Sequence, residues 1–225
     1  MKMVFDASTL ISVSQTCLVK ILGGLKRKMG ADFIVPESVF YEAVQRPIEI
    51  RRFELNAIRI KKVIEENGFS VMQARDKSVV EAIESSANSC FLVKGRPIRL
   101  LQRGEIEALA IARETGAEAL AIDERTTRML IENPEQLRRI IQERRNIGIG
   151  IDGKKQKAFS SMFSGLTIVR SVELIALADE YGLLEEELPR GKQSLEAALF
   201  AAKYSGCAVS GKEITMFLHG LGEGR

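Results

Sequence analysis

Three apolar residues, Met3-Val4-Phe5, run straight into the polar segment Asp6-Ala7-Ser8-Thr9, and this junction constrains the fold more than any other part of the chain. The apolar run is too short for a helix and reads as a buried strand, while the Asp, Ser and Thr after it are helix-starting residues. An acidic group therefore stands at the carboxyl end of a strand. In an open parallel α/β sheet that edge is where ligands bind, at the crevice where strand order reverses. A second strand ends the same way, with Ala119-Leu120-Ala121-Ile122 running into Asp123-Glu124. Two such strands in one sheet make an anionic pocket, which needs a cation.

The remaining elements follow from periodicity and punctuation. Leu10, Val13, Cys17 and Ile21, with Leu18, Leu22 and Leu25, form two adjacent stripes of one buried helix ending by Gly30. Phe33-Ile34-Val35 is the next strand, and Pro36 opens a helix over 37–44. Glu37 suits that helix start, whereas Glu42, further along, has no capping role. Helical spacing returns over 49–67, a strand over 69–72, and the capping box Ser78 to Glu81 opens a helix reaching 87. Phe91-Leu92-Val93 is a strand or the lead into the turn at Gly95-Arg96-Pro97.

From Gly104 a helix over 105–115 stops at Gly116, and a short connection to the strand ending at Asp123 suggests a βαβ-type unit. Asn133-Pro134 caps a basic helix over 135–145, and the glycine-rich 148–153 reads as a mobile basic loop without the ending of a P-loop. A last strand over 166–169 leads to a helix over 172–181, capped by Ser171 and closed by Gly182. Pro189-Arg190-Gly191 then breaks the chain before two amphipathic helices, 194–204 and 211–219, the second opened by the capping box Ser210 to Glu213. The expected organisation is one domain over 1–188 and a helical extension over 189–225, folded back on the domain or on a partner.

A chain of 225 residues with a net charge of +3 says little about partners by its total, but its basic residues are uneven. Arg138, Arg139, Arg144 and Arg145, followed by Lys154, Lys155 and Lys157, form one run, and Arg46, Arg51, Arg52, Arg59, Lys61 and Lys62 another. Solvated helix faces and a phosphate-tracking surface are equal readings of such runs. Cys17, Cys90 and Cys207 have no metal-site spacing and read as reduced core residues. There is no apolar run of membrane-spanning length and no signal-peptide pattern, so a cytoplasmic location without membrane contact is expected. A single histidine, His219, argues against a His-rich zinc site.

Four carboxylates stand out by position: Asp6 and Asp123 at strand ends, Glu42 on a helix just after a strand, and Glu105 in a first helical turn. Any one of them alone is better explained by capping or solvent exposure. A doubly wound sheet brings all four places to one edge. Two carboxylates ~4 Å apart repel by about 4 kcal/mol at an effective dielectric of ~20, so the set calls for a cation. Hard oxygen donors select Mg²⁺ or Mn²⁺ over zinc, and such a site suits phosphoryl chemistry.

The ordered set Asp6-Ala7-Ser8, Val35-Pro36-x-x-Val39-x-x-Glu42, Gly104-Glu105-x-Glu107-Ala108-x-Ala110 and Leu120-x-Ile122-Asp123-Glu124-Arg125 resembles a PIN domain, particularly the archaeal and bacterial single-domain forms that include VapC-like toxins. The resemblance covers roughly 1–185. It implies a three-layer α/β/α sandwich with a central parallel sheet, and divalent-metal-dependent RNA cleavage leaving a 5′-phosphate and a 3′-hydroxyl. Carried over by position, Asp6, Glu42, Glu105 and Asp123 are the acidic quartet; Asp6, Glu105 and Asp123 hold the metal, and Ser8 is their polar companion on the RNA side. Arg125, Arg128, Arg138, Arg144 and Arg145 are expected to hold the RNA backbone. The stretch 47–101 is longer than in the small toxin members. A toxin with an antitoxin partner, an RNA-processing enzyme and a homodimer all remain open.

The alternative from another class is a PIN-like module that binds RNA or protein without cutting, against which the concentrated negative charge argues. A haloacid-dehalogenase-type phosphatase needs a second Asp where Ser8 stands, and a dinucleotide enzyme needs glycines after the first strand. Helical phase separates two glutamates. Glu105 shares a face with Ala108, Leu109 and Ala112, while Glu107, about 200° away, aligns with Glu114 on the expected solvated side.

Overall fold

The structure is a computed structural model that describes residues 1–189 and 191–222. Strand β1 (Lys2–Phe5) ends at Asp6, whose carboxylate accepts the Ser8 amide at 2.9 Å and so caps helix α1 (Ala7–Gln15). The single helix expected up to Gly30 is two. Cys17 takes a left-handed conformation (φ 65°) that interrupts the hydrogen-bond ladder, and the chain restarts as α2 (Ile21–Met29), closed by Gly30 at φ 56°.

Strand β2 (Asp32–Pro36) passes directly into α3 (Glu37–Phe40) and a single π turn, Tyr41–Gln45, which carries Glu42. A 3₁₀ turn, Pro47–Glu49, leads to α4 (Glu54–Glu66), which starts later than its spacing suggested, and β3 (Ser70–Met72) follows. Asp76, rather than Ser78, caps α5 (Lys77–Ala87): both the amide and the hydroxyl of Ser78 donate to it.

The pair β4 (Phe91–Val93) and β5 (Arg96–Pro97) precedes α6 (Arg103–Thr115), β6 (Ala119–Ala121), α7 (Arg125–Glu132) and α8 (Pro134–Arg145). Segment 148–153 is not a loop. It forms β7 (Ile149–Ile151), antiparallel to β4, and enters α9 (Gly153–Met162), capped by Asp152. Strand β8 (Thr167–Val169), α10 (Ser171–Glu180) and a 3₁₀ turn, Leu183–Glu186, come next. The break expected at Pro189-Arg190-Gly191 includes residue 190, which lies outside the described residues. Helices α11 (Lys192–Tyr204) and α12 (Gly211–Gly222) close the chain, and Ser210 and Glu213 form the expected capping box.

The main sheet has the order β3-β2-β1-β6-β8 with every pair parallel, and β5-β4-β7 forms a small antiparallel sheet. The chain winds outward from β1 to β3, then returns past β1 to β6, so strand order reverses between β1 and β6. Their carboxyl ends bound the crevice.

Helices cover both faces of this sheet. Met3, Phe5, Phe33, Val35, Ala119 and Ala121 point to one side, into the cluster built with α1, α2, α4, α10, α11 and α12. Val4, Ile34, Leu120 and Ile122 point to the other, into the cluster built with α5 to α9. This is the α/β/α sandwich that the sequence implied. Leu195, Leu199, Ile214 and Leu218 of the last two helices belong to the first cluster, so the extension packs into the same core as β1. The three cysteines are free; Cys90 and Cys207 are buried as expected of core residues, whereas Cys17, in the left-handed turn between α1 and α2, is exposed. No helix among the described residues is long and apolar enough to cross a membrane.

Candidate active site

Strand alternation decides which carboxylates meet. In β1, Met3 and Phe5 face the α1/α10 side, so Val4 and Asp6 face the α6 side. Phe5 pairs with Ala121, and the Asp6 amide donates to the Ala121 carbonyl at 2.9 Å, which continues the register past the strand ends. Ala119 and Ala121 lie on the α1/α10 side and Leu120 and Ile122 on the α6 side, so Asp123 falls opposite Asp6 and Glu124 returns to its side.

The contacts agree with this phase. One Asp123 carboxylate oxygen accepts the Ser171 amide at 2.7 Å, and the residue is fully buried. Cys207, from the tail, lies against the same carboxylate: burial, then the charge of Asp123, pushes its thiol up to about 12. The Ala208 amide donates to the Asp123 carbonyl at 3.2 Å, while Arg128 and Arg170 both donate to the Ala208 carbonyl. Asp123 thus holds α10 and the tail against the sheet edge. The other Asp123 carboxylate oxygen is buried without a hydrogen-bond partner.

Glu124 caps α7 by accepting the Thr127 amide at 2.8 Å, and its charge acts on both Asp6 and Glu105. Burial raises the Asp6 carboxyl above its ordinary range, partly offset by the Ser8 hydroxyl and amide, and Glu124 raises it further. Glu105 is pushed up to about 7, first by burial and then by Asp6 and Glu124, against the lowering effect of the Gln102 amide that it accepts in a capping box. Glu42 is exposed on its π turn, yet desolvation and the charge of Asp6 raise it, with Arg46 opposing. Gly104 permits this approach: a Cβ there would stand 3.3 Å from the Glu42 Oε2 atom. π turns often mark functional positions.

Several expected roles are redistributed. The Ser8 hydroxyl donates to Asp6 at 2.6 Å and accepts the Asp123 amide at 3.0 Å, tying the two strand ends together. Glu107 is not free in solvent but accepts the Ser38 amide at 3.2 Å, capping α3 across the cleft. Arg128 is engaged with Glu132 and Ala208, and Arg138 with Glu135 and Gln142, so neither is a free phosphate contact. Arg125 is half-buried in the first turn of α7, and Arg144 and Arg145 are exposed at the far end of α8.

The donors suit a hard divalent cation. Asp6, Glu42, Glu105 and Glu124 offer only carboxylate oxygens; the charge of Asp6 raises Glu42 and Glu105, and that of Glu124 raises Asp6 and Glu105. As placed, Asp6, Glu105 and Glu124 each accept an amide of a helix start, and among the described residues no group of three or more His, Cys, Asp or Glu side chains stands in ligand geometry.

Without a cation, this charge makes stability pH-dependent. Between the ordinary value of 4.5 and about 7, folded Glu105 keeps a proton that the unfolded chain has lost. Stability therefore falls as pH rises through that window. After discounting for residual solvent screening, the effect is about 1–2 kcal/mol, or roughly 2–8 °C in Tm. In EDTA the protein should melt higher at pH 5 than at pH 8, and Glu105→Gln should reduce the difference. A difference unchanged in Glu105→Gln would show that Glu105 ionises normally.

A five-stranded parallel sheet between helical layers, with carboxylates near the point where strand order reverses, defines a three-layer α/β/α domain. The family profile that matches the chain is that of a PIN domain; it spans residues 2–136, and the protein belongs to that family. PIN domains are in general nucleases and typically bind divalent metals. No curated protein and no solved structure matches the chain.

Proposed function

We propose that the protein is a divalent-metal-dependent endoribonuclease using Mg²⁺ or Mn²⁺. The observation that carries this reading is the set of raised, mutually repelling carboxylates around Asp6 at the reversal point of the sheet. A binding module gains nothing from such a charge cluster. Asp6, Glu105 and Glu124 would hold the cation, which when bound neutralises charge on a scissile phosphate and activates water.

Ser8 and Asp123 have positional roles, and Glu42 a role in proton transfer. Ser8 fixes the Asp6 carboxylate and joins it to the Asp123 backbone. Asp123 anchors α10 and the tail behind the site. Glu42, exposed and raised, is placed to take a proton from the attacking water at its carboxylate. A labelled unstructured RNA should be cut in Mg²⁺ or Mn²⁺, leaving 5′-phosphate ends, and left intact in EDTA. Equal cleavage in EDTA would overturn the proposal.

A further inference from the structure

Resting on the ribonuclease reading, we propose that single-stranded RNA reaches the site along the run of tight turns from Tyr41 to Phe53, with Tyr41 and Phe53 as stacking platforms and Arg46, Arg51 and Arg52 as phosphate contacts. Two of the arginines expected to hold RNA are poorly placed for this. Arg128 and Arg138 are bonded within the fold, and their side chains are only 17% and 27% exposed.

The run from the π turn to α4 has the opposite character. The π turn, the 3₁₀ turn and the start of α4 follow one another through the bonds Arg46 N–H to Tyr41 O, Ile50 N–H to Pro47 O and Phe53 N–H to Ile50 O. This short, hydrogen-bonded scaffold begins beside Glu42, buries Ala43 and Val44, and exposes Tyr41, Arg46, Arg51, Arg52 and Phe53. Tyr41 is 55% and Phe53 41% exposed, and the Arg52 guanidinium lies 5.5 Å from the Phe53 ring centroid. The Arg51 side chain is 95% exposed, held only by a surface pair with Glu54 that gives little stability. Arg46 is exposed and its charge acts on Glu42.

Two exposed aromatic rings flanking three arginines, beside the carboxylate Glu42, match the needs of a single strand. Bases stack on the rings without sequence preference while cations follow the phosphates. The same arginines oppose pairing of this surface with itself, because a two-fold contact would bring like charges together. The exposed Leu55 and Ile58 further along α4 supply the competing reading of a protein interface.

Binding to a labelled unstructured RNA of about 12 nucleotides, within the span of such sites, can be measured by fluorescence anisotropy in EDTA, where cleavage is silent. Tyr41→Ala and Phe53→Ala should each weaken binding roughly tenfold, and Tyr41→Phe should restore it. Arg51→Ala with Arg52→Ala should flatten the log–log salt slope by about 1.4, at ~0.7 per phosphate contact. Arg144→Ala with Arg145→Ala, at the far end of α8, should weaken binding less and flatten the slope less than the Arg51/Arg52 variant. An unchanged slope in the Arg51/Arg52 variant, or a loss confined to the Arg144/Arg145 variant, overturns the proposal. So does a native dimer that Leu55→Asp converts to monomer with RNA binding intact. The two readings fail separately. Weakened binding in these variants of a protein that never cuts RNA removes the nuclease and keeps the surface, whereas metal-dependent cleavage with unaltered binding does the reverse.

Discussion

Asp6→Asn should lower metal-dependent RNA cleavage by roughly a thousandfold or more and leave the fold intact. A metal centre supplies several kcal/mol of transition-state stabilisation, and each 1.36 kcal/mol is tenfold in rate. Asp6 is the central group of the cluster, since its charge acts on both Glu42 and Glu105. Asn retains an oxygen to accept the Ser8 amide and hydroxyl, so the cap of α1 survives. It also removes a buried negative charge, and in EDTA the variant should melt at the same temperature as the parent or higher. Cleavage rates, a thermal melt in EDTA and a Mn²⁺ titration check the three parts. Undiminished cleavage by the purified variant would refute a metal site built on Asp6.

The parts of this protein that could be read from its sequence are those where local chemistry and the tertiary arrangement agree. The strand-to-helix junction at Asp6 is one: the cap, the buried strand and the sheet edge all follow from neighbouring residues. The parallel sheet was legible for the same reason, whereas the solvated side expected of α6 was not found, since Ile106, Ala110 and Ile111 are buried and Glu107 accepts the Ser38 amide. Three further features were not legible. The apolar stripes of α1 and α2 continue through Cys17, so periodicity carries no sign of the left-handed turn there. Glycines around Ile149 and Ile151 resemble a loop, and the pairing of β7 with Phe91–Val93 depends on residues distant in sequence. The contacts of Asp123 with Ser171, Cys207 and Ala208 likewise span long separations.

The phase of Asp123 was hidden for a more specific reason. A strand in an antiparallel sheet with one wet face alternates apolar and polar residues and so reveals which way each side chain points. Strands buried on both faces give continuous apolar runs with no such mark. Met3-Val4-Phe5 and Ala119-Leu120-Ala121-Ile122 are of this kind, so register alone decides which terminal carboxylate joins Asp6. A shift of one residue exchanges the faces.

Exchanging the two neighbours experimentally should therefore separate metal binding from stability. Glu124→Gln keeps an acceptor for the Thr127 amide and the cap of α7, but removes the negative charge that acts on Asp6 and Glu105. Its Mn²⁺ affinity should fall by more than the roughly 10–100-fold typical of losing an outer-sphere partner, and cleavage should fall with it, while the melt in EDTA changes little. Asp123→Ala should act the other way. It leaves the Ser171 amide buried without its acceptor, which costs about 1–3 kcal/mol, or roughly 2–12 °C in Tm. It also loosens the attachment of the Cys207–Ala208 segment. Asp123→Asn, which can still accept that amide, should recover most of the stability and bind Mn²⁺ nearly as the parent does. If Asp123→Asn instead loses Mn²⁺ while Glu124→Gln retains it, the cation lies on the α10 side of the sheet and the site must be redrawn around Asp123, Ser171 and Cys207.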